Sequence, residues 1–292
     1  MQGLEEFQDF VRPNEILAPY TFLKLGGPAE ALAQPRNRDE LAAIVKHCFQ
    51  RNIPLRVLGG GSNILVRDEG VRGVVLRLSE PAFTEVSVDG RKVRAGTGAR
   101  LSALISQSAR HSLAGLEALI GIPGTVGGAV RKNAGDRSGE IGQYVRQVEV
   151  LDDSGQPEVR ERDELRFDYR WSNLDDPVLL SAEFELETES IEAIVKRMRK
   201  AWIERRAAQP LSYQAALRVF KDQRGTQAAT LVEQAGLAKT RVGGAELSER
   251  DANSVVAHPG ASAKDALRLI DLVKSRVRER FNIDLELQIT IW

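Results

Sequence analysis

Three consecutive glycines, Gly59, Gly60 and Gly61, are the first residues in the chain whose types and spacing suggest chemistry. They are followed by Ser62 and Asn63 and flanked by short apolar runs that are typical of buried strands. Glycine adopts positive φ and lets another group approach the backbone closely. A turn without side chains exposes successive backbone N–H groups, which suit a phosphate or pyrophosphate. The pattern also fits an ordinary tight turn, so this stretch alone leaves both interpretations open.

A second glycine-rich stretch, at residues 121–129, favours the ligand-binding interpretation. It reads Gly-Ile-Pro-Gly-Thr-Val-Gly-Gly-Ala and again has apolar edges. Two such turns in one chain predict two loops that hold one extended ligand.

The common phosphate-binding motifs do not occur in either stretch. No Gly-Lys-Ser/Thr follows at the Walker A spacing, and the first stretch lacks the third glycine of the Rossmann fingerprint. The chain also has no Gly-x-Ser-x-Gly nucleophile elbow. Dinucleotide binding would therefore need another scaffold. One such scaffold places the cofactor between a small βαβ domain and an α+β domain, where main-chain amides hold it.

The elements around the first stretch are predicted to form a strand–helix–strand unit that delivers the glycine turn. Residues 29–35 favour a strand, and Asn37 or Asp39 can cap a helix that runs to about Gln50. Residues 55–58 favour the second strand, and a further strand is expected after the turn. The apolar residues of the helix recur on one face: Leu41, Ile44, Val45 and Cys48.

The rest of the chain is predicted to mix strands and helices in an α+β arrangement. Asp89-Gly90 between two alternating segments predicts a hairpin, and Ser262 is expected to begin a helix that ends near Phe281. Other strands are predicted over residues 21–25, 145–152, 178–186, 241–247 and 285–291, and other helices over 101–111, 190–209 and 226–234. The helix at 190–209 carries basic residues that form either an anion patch or, as we favour, a solvated face: Lys196, Arg197, Arg199, Lys200, Arg205 and Arg206.

Composition narrows the classes of function. The 292 residues include 41 Lys and Arg against 41 Asp and Glu, so no basic field favours nucleic acid as a partner. No apolar run approaches the roughly 20 residues of a membrane span, and the acidic N-terminus lacks the apolar region of a secretory signal. The single cysteine, Cys48, fits the reducing cytoplasm. His47, His111 and His258 are far apart, so no metal site is predicted, and His47 is expected on a helix surface.

Motifs along nearly the whole chain resemble those of the UDP-N-acetylenolpyruvoylglucosamine reductase family, which acts in peptidoglycan precursor synthesis. No insertion separates the flavin-binding part from the C-terminal part, so the chain is similar to the shorter type of this enzyme. The segments that carry the resemblance are Thr21-Phe22-Leu23-Lys24-Leu25-Gly26-Gly27-Pro28-Ala29, Leu58-Gly59-Gly60-Gly61-Ser62-Asn63, residues 121–129, Asn133-Ala134-Gly135, Gly139-Glu140-Ile141, Phe167-Asp168-Tyr169-Arg170-Trp171-Ser172, Gln209-Pro210-Leu211, Val219-Phe220-Lys221, residues 231–237, Gly243-Gly244-Ala245 and Ala252-Asn253.

The resemblance implies an α+β fold with two FAD-binding subdomains of the PCMH or vanillyl-alcohol-oxidase type and a smaller α+β substrate domain. The implied divisions are residues 1–78, 79–188 and 189–292. It further implies that NADPH reduces FAD, and that flavin N5 passes a hydride to the enolpyruvyl double bond of a nucleotide-sugar substrate. The residues implied to bind FAD are Gly59, Gly60, Gly61, Ser62, Asn63, Ile122, Pro123, Gly124, Thr125, Gly127, Gly128 and Ala129.

Three catalytic groups are implied by the resemblance, and the chain keeps one of them. Arg170 matches the arginine that holds the substrate carboxylate and spreads the charge of the enolate. The position of the serine acid is occupied by Arg218, which stays charged and cannot act as a useful acid near neutral pH. The position of the glutamate is occupied by Gln288, which cannot ionise. Ser212 or Tyr213 is a distant substitute for the acid.

These departures leave two functions open. The first is a working reductase with altered acid chemistry. The second is a flavoprotein paralogue that is catalytically impaired or acts on another anionic substrate, with Arg170 and Arg218 as a clamp. A structural protein without flavin is a poorer interpretation, because both glycine loops look intact.

Overall fold

The computed structural model describes residues 3–136, 138–208, 216–223 and 225–292. Contacts between Cα atoms divide the chain into two units. The first unit comprises Met1–Asn14, Glu30–Gly60 and Arg72–Arg205, and the second comprises Glu15–Ala29, Gly61–Val71 and Arg206–Trp292. Each unit therefore combines segments that are distant in sequence. The three-part division at residues 78 and 188 stays a prediction.

The described residues contain helices and strands in a mixed order, and the predicted α+β class is confirmed. The helices are α1 (Arg38–Gln50), α2 (Pro81–Thr84), α3 (Leu101–Arg110), α4 (Val126–Arg131), α5 (Ile191–Ala208), α6 (Ala228–Gln234) and α7 (Ala263–Phe281). The strands are β1 (Val11–Ile16), β2 (Pro28–Ala33), β3 (Leu55–Val57), β4 (Ile64–Leu65), β5 (Val71–Leu76), β6 (Val86–Asp89), β7 (Lys92–Gly96), β8 (Leu113–Ala114), β9 (Gly135–Asp136), β10 (Gly139–Glu140), β11 (Val145–Leu151), β12 (Pro157–Glu161), β13 (Phe167–Asp168), β14 (Trp171–Ser172), β15 (Val178–Glu185), β16 (Glu187–Thr188), β17 (Ala216–Arg218), β18 (Arg241–Val242), β19 (Ala245–Leu247), β20 (Ser254–Ala257) and β21 (Thr290–Ile291).

A four-stranded sheet in the order β1-β2-β5-β3 supports the first glycine stretch. The predicted strand–helix–strand unit is confirmed as β2–α1–β3, although β5 lies between its two strands and pairs in parallel with β3. The Asn37 side chain caps α1 by accepting a hydrogen bond from the Glu40 N–H at 2.9 Å. The predicted apolar face of α1 is buried in the core of the first unit.

A five-stranded antiparallel sheet in the order β12-β11-β15-β7-β6 forms the rest of the first unit's framework. The hairpin predicted at Asp89-Gly90 is confirmed, with Asp89 opposite Lys92. Leu101, Leu104 and Ile105 of α3 are buried in the core that also contains the inner faces of β7, β11 and β15. This packing fixes the segment that leads into the second glycine stretch.

The second unit is built on a four-stranded sheet in the order β17-β20-β19-β18, against which α6 and α7 pack. Helix α7 begins as predicted, because Ser262 and Asp265 form a reciprocal capping box. Strand β21 pairs in parallel with β4, so the end of the chain is joined to the strand that follows the first glycine stretch.

Three strand predictions are wrong, and two of them fail for a local reason. Residues 21–25 form a turn, because the buried Thr21 hydroxyl donates to the backbone carbonyls of Ala18 and Leu25. Residues 241–247 form a hairpin with Gly243 at φ +55° in its turn. Of residues 285–291, the structure assigns only Thr290–Ile291 to a strand.

His47 also differs from its prediction as a surface residue. It is buried beside the Phe7 ring, and its Nδ1 lies 3.0 Å from the Glu6 carboxylate. The predicted end of α5 at Pro210 and the substitute acids Ser212 and Tyr213 lie outside the described residues.

Candidate cofactor-binding and catalytic residues

The two glycine stretches meet within the first unit. That they hold one ligand stays a prediction. A Cβ atom added to Gly60 would lie 2.7 Å from the Cα of Gly124, and one added to Gly59 would lie 2.6 Å from the Thr125 Oγ1. Real Cβ atoms essentially never make contacts this short. The Gly124 backbone therefore excludes a side chain at position 60, and the Thr125 side chain disfavours one at position 59.

The second stretch differs from the prediction, because its later residues form helix α4 instead of a turn. Thr125 is the N-cap of α4, and its Oγ1 lies 3.5 Å from the Gly128 nitrogen. The N–H groups of Val126 and Gly127 donate to the carbonyls of Ala99 and Thr97, both at 2.9 Å. The N–H groups of Val126 and Gly127 are thus already bonded within the protein, so they are not the donors that an anion would use.

Backbone donors that remain available occur instead in the first stretch. Within the described ranges, no residue accepts a hydrogen bond from the N–H groups of Gly59 or Gly60. Gly128 supplies open space nearby in the second stretch: it is exposed, and a Cβ there would contact only the Thr125 Oγ1, at 3.7 Å. Available amides beside bare backbone fit the pyrophosphate part of a dinucleotide such as FAD.

The remaining residues of the first stretch belong to the second unit, where they are held by local bonds. Gly61 has φ +63°, and a Cβ there would lie 2.1 Å from the Tyr20 carbonyl oxygen. The Asn63 Nδ2 donates to the Gln288 carbonyl oxygen at 2.9 Å, and the Asn63 carbonyl accepts from Thr290 at 3.0 Å. Asn63 therefore joins β4 to the end of the chain.

Arg170 lies in the two-residue turn between β13 and β14. Its φ of +57° is unusual for a residue other than glycine, and Asp168 pairs with Trp171 across the turn. The guanidinium carbon lies 5.6 Å from the centroid of the Tyr169 ring. The Arg170 Nε is buried, and no described residue accepts a hydrogen bond from it.

Asn133 fixes this hairpin, and sequence reasoning missed that role. Its Nδ2 donates to the Asp168 carbonyl at 3.0 Å and to the Glu140 carboxylate at 2.7 Å. Its Oδ1 accepts from the Gly142 N–H at 3.0 Å. Asn133 is 1% exposed and has φ +43°. The available signal was the Asn-Ala-Gly motif that follows the second glycine stretch.

Arg218 and Gln288, which occupy the positions where the resemblance implies two other catalytic residues, contact each other in the second unit. The Gln288 Nε2 donates to the Arg218 carbonyl oxygen at 2.9 Å, and the Gln288 N–H donates to the Val219 carbonyl, also at 2.9 Å. The Arg218 guanidinium forms an ion pair with Asp222 at 3.1 Å. Asp222 in turn accepts from the Ala228 N–H at the start of α6. Arg218 and Gln288 are thus part of a local bonded network.

The described residues contain neither a metal-binding cluster nor a helix that could span a membrane. No group of three metal-binding side chains occurs in the part of the chain that the structure describes. Among the same residues, no helix has the length and apolar character needed to cross a membrane.

Two family models match the chain in sequence. The model of an FAD binding domain matches residues 29–159. The model of the UDP-N-acetylenolpyruvoylglucosamine reductase C-terminal domain matches residues 209–292. The first match contains both glycine stretches, so the FAD-binding part of the predicted fold is confirmed.

Similar proteins cover almost the whole chain. The UDP-N-acetylenolpyruvoylglucosamine reductase of Moorella thermoacetica is 41% identical over 283 residues, which are 97% of this chain and 93% of that protein. The protein of the same name from Rhodopirellula baltica is 35% identical over 99% of this chain and 94% of its own length. The crystal structure of UDP-N-acetylenolpyruvylglucosamine reductase (MurB) from Thermus caldophilus has a TM-score of 0.84 and 38% identity, and covers 97% of this chain and 100% of that one.

Proposed function

Because the chain belongs to the UDP-N-acetylenolpyruvoylglucosamine reductase family and is an FAD-dependent oxidoreductase of that type, we propose that it reduces UDP-N-acetylenolpyruvoylglucosamine to UDP-N-acetylmuramate with NADPH. The observation that carries the proposal is 41% identity over 97% of the chain to a reductase of that name. The reaction serves peptidoglycan precursor synthesis, and thereby cell shape and division. We place it in the cytoplasm, with a nucleotide-sugar substrate and neither nucleic acid nor membrane insertion.

We assign FAD binding to residues 59–63 and to the residues predicted in the second stretch, Ile122, Pro123, Gly124, Thr125, Gly127, Gly128 and Ala129. The N–H groups of Gly59 and Gly60, which have no acceptor among the described residues, support this assignment because they can donate to the pyrophosphate. The open backbone at Gly128 supports it as well. When bound, FAD accepts a hydride from NADPH and supplies one to the double bond of the substrate.

In this proposal Arg170 is the catalytic cation. It holds the substrate carboxylate and stabilises the negative charge that develops there as the double bond is reduced. Asn133 fixes the turn that carries Arg170, so the backbone from which the guanidinium extends is in place before the substrate arrives. The carbon that becomes negative must then take up a proton. Arg218 cannot supply that proton, because a guanidinium stays protonated at neutral pH.

A second candidate is a flavoprotein of the same fold that acts on another anionic substrate. The observation that favours it is the bonded pair of Arg218 and Gln288, which occupies both positions where the resemblance implies catalytic groups. The two candidates share FAD and Arg170, and they differ in whether the enolpyruvyl group is reduced.

The direct test is anaerobic stopped-flow kinetics with the full-length, FAD-loaded protein. NADPH should bleach the flavin absorbance, and added UDP-N-acetylenolpyruvoylglucosamine should restore it while UDP-N-acetylmuramate forms. Reduction by NADPH without reoxidation by this substrate would favour the second candidate. A protein purified without flavin that also fails to bind added FAD would exclude both.

A glycine substitution tests the assigned cofactor loop separately from folding. Gly128→Ala should stabilise the cofactor-free protein by about 0.5–1 kcal/mol, because alanine is the better helix former and the added methyl group meets open space. The same methyl should weaken FAD binding, measured by fluorescence titration of the cofactor-free protein. Ser102→Ala, an exposed exchange in α3, is the matched control and should leave FAD affinity unchanged. Unchanged affinity in Gly128→Ala would remove Gly128 from the proposed site.

A further inference from the structure

Arg205, near the end of α5, is held in a fixed position by two acceptors. Its Nη2 donates to the Ala118 carbonyl oxygen and to the Asp136 carboxylate, each at 2.7 Å. The other Asp136 oxygen accepts from the Ser138 N–H at 2.9 Å, so the carboxylate is itself oriented. The Arg205 side chain is 19% exposed, and its Cδ packs 3.2 Å from the place where a Cβ on Gly121 would stand. Arg205 is therefore fixed beside the second glycine stretch.

Hydrogen bonds connect Arg205 to the turn that carries Arg170. Its partner Asp136 pairs across the β9–β10 hairpin, whose Glu140 shares the Asn133 amide with the Asp168 carbonyl. The pKa of Arg205 is lowered, chiefly because burial penalises its charged form, and Arg170 lowers it further. The nearby Asp136 carboxylate, by contrast, raises the pKa of Arg205. The charges of Arg170 and Arg205 thus act on each other, and like charges in a partly dehydrated region repel each other strongly.

The two arginines also share hydrogen-bonding capacity that their described neighbours do not use. The Nε atoms of Arg170 and Arg205 are both buried, and neither has an acceptor among the residues that the structure describes. A buried donor without an acceptor is unfavourable, and a charged one more so. Neighbouring cations with such donors are the arrangement that an added anion would stabilise.

We propose that Arg205 is a second substrate-binding cation, which together with Arg170 holds the carboxylate of the enolpyruvyl group. The inference rests on the proposed function, because it takes that substrate as given. The Arg205 Nε–H has no acceptor among the described residues, so it can donate one charge-assisted hydrogen bond to the carboxylate while Nη2 stays bonded to Ala118 and Asp136. Arg205 thereby leaves the solvated basic face expected for its helix. The phosphates of FAD offer the same anion chemistry, so the experiment must separate the two sources.

The test compares ligands that differ only in the enolpyruvyl group. For the FAD-loaded protein, dissociation constants of UDP-N-acetylenolpyruvoylglucosamine and of UDP-N-acetylglucosamine are measured by calorimetry. Arg205→Gln should weaken binding of the first ligand by about 10- to 100-fold and of the second by less than about twofold. FAD affinity of the cofactor-free protein should not change. Asp136→Asn should produce the same pattern with a smaller loss.

Arg199→Gln is the matched control, since Arg199 is an exposed residue of the same helix and should leave all three affinities unchanged. Equal weakening of both nucleotide sugars by Arg205→Gln, or no weakening, would overturn the inference. Weakened FAD binding would also overturn it and would assign Arg205 to the cofactor. If Arg205→Gln does not fold, Arg205→Lys decides by the same ligand comparison, because lysine keeps the charge and removes the Nε–H donor.

The proposed function fails by a different result. In that case the wild-type protein would not bind the enolpyruvyl ligand more tightly than UDP-N-acetylglucosamine, and would not reduce it. A wild-type protein that does both, combined with an unaffected Arg205→Gln variant, would overturn the role of Arg205 alone.

Discussion

Replacing Gln288 with the glutamate that the family resemblance implies should destabilise this chain. The Gln288 Nε2 donates to the Arg218 carbonyl oxygen at 2.9 Å, and a glutamate carboxylate has no hydrogen to donate there. Two acceptor oxygens would face each other instead. Gln288→Glu loses one neutral hydrogen bond, worth about 0.5–1.5 kcal/mol, and adds a repulsion that the partly exposed position reduces. We expect a loss of about 1 kcal/mol in the free energy of unfolding at pH 8.

The loss should depend on pH in a defined direction. The facing carbonyl favours the protonated carboxyl, so the pKa of the carboxyl introduced at position 288 should rise above its unfolded value of about 4.3. A group whose pKa is raised by folding contributes stability below its unfolded pKa and loses that contribution as pH rises through its folded pKa. The difference between Gln288→Glu and wild type should therefore be small at about pH 4 and large at about pH 8.

Urea unfolding of the full chain, followed by tryptophan fluorescence at both pH values, measures this difference. Gln8→Glu is the control, because Gln8 is exposed and the exchange should have little effect at either pH. Equal stability of Gln288→Glu and wild type at pH 8 would refute the reasoning. It would show that the hydrogen bond from the Gln288 side chain to the Arg218 carbonyl contributes nothing to the free energy of unfolding.

The double variant Arg218→Ser with Gln288→Glu tests catalysis. Restoring a general acid should raise turnover by about 10²- to 10⁴-fold if the substrate site is otherwise intact.

Three further predictions concern other residues. Burial raises the pKa of the Cys48 thiol to about 11. Iodoacetamide at pH 8 should therefore modify Cys48 at least about 100-fold more slowly in the folded protein than in the urea-unfolded protein, as followed by mass spectrometry. Similar rates in the two states would contradict the burial of Cys48. Burial alone would raise the pKa of Glu149, but hydrogen bonds from Arg38 and Ser181 outweigh it and lower the pKa overall. Glu149→Gln should therefore be less stable than wild type in urea at pH 7, and the difference should shrink as pH falls below about 4; a difference independent of pH would be inconsistent with this cause. Asn133→Ala should lower the free energy of unfolding by about 2–4 kcal/mol, because it leaves the Gly142 N–H without its acceptor and frees the Arg170 turn. A change below about 0.5 kcal/mol in urea unfolding would show that the hydrogen bonds of Asn133 do not stabilise the fold.

Elements defined by neighbouring residues were predictable from the sequence. Helix α1 follows from its apolar spacing and the Asn37 cap, α7 from the Ser262 capping box, and the β6–β7 hairpin from Asp89-Gly90. In each case the signal and the structure lie close together in the chain. Local hydrogen bonds also explain the failure at residues 21–25, because the pattern cannot show that the Thr21 hydroxyl will bond to the backbone.

Contacts between distant residues were not predictable in the same way. Asp136 and Arg205 are 69 residues apart, and Gln288 and Arg218 are 70 residues apart. Residue types at these positions can be read from the sequence, but their pairing depends on how the strands and helices pack. Arg205 was therefore grouped with five other basic residues of its helix, although burial and the bond to Asp136 distinguish it. The role of Asn133 is a similar case, since its partners come from separate turns and strands.

The discontinuous make-up of the second unit has a consequence for synthesis on the ribosome. Its core joins Leu23, Leu25 and Leu65 to residues beyond 206, and strand β4 pairs with β21 at the end of the chain. At about 5–20 residues per second, roughly 8–30 s pass between the synthesis of Leu65 and that of Leu217, the first of these later core residues. Leu23, Leu25 and Leu65 are then apolar residues without a core, which is the kind of surface that chaperones bind. We therefore expect the yield of folded protein to depend on chaperone supply more than its final stability would suggest.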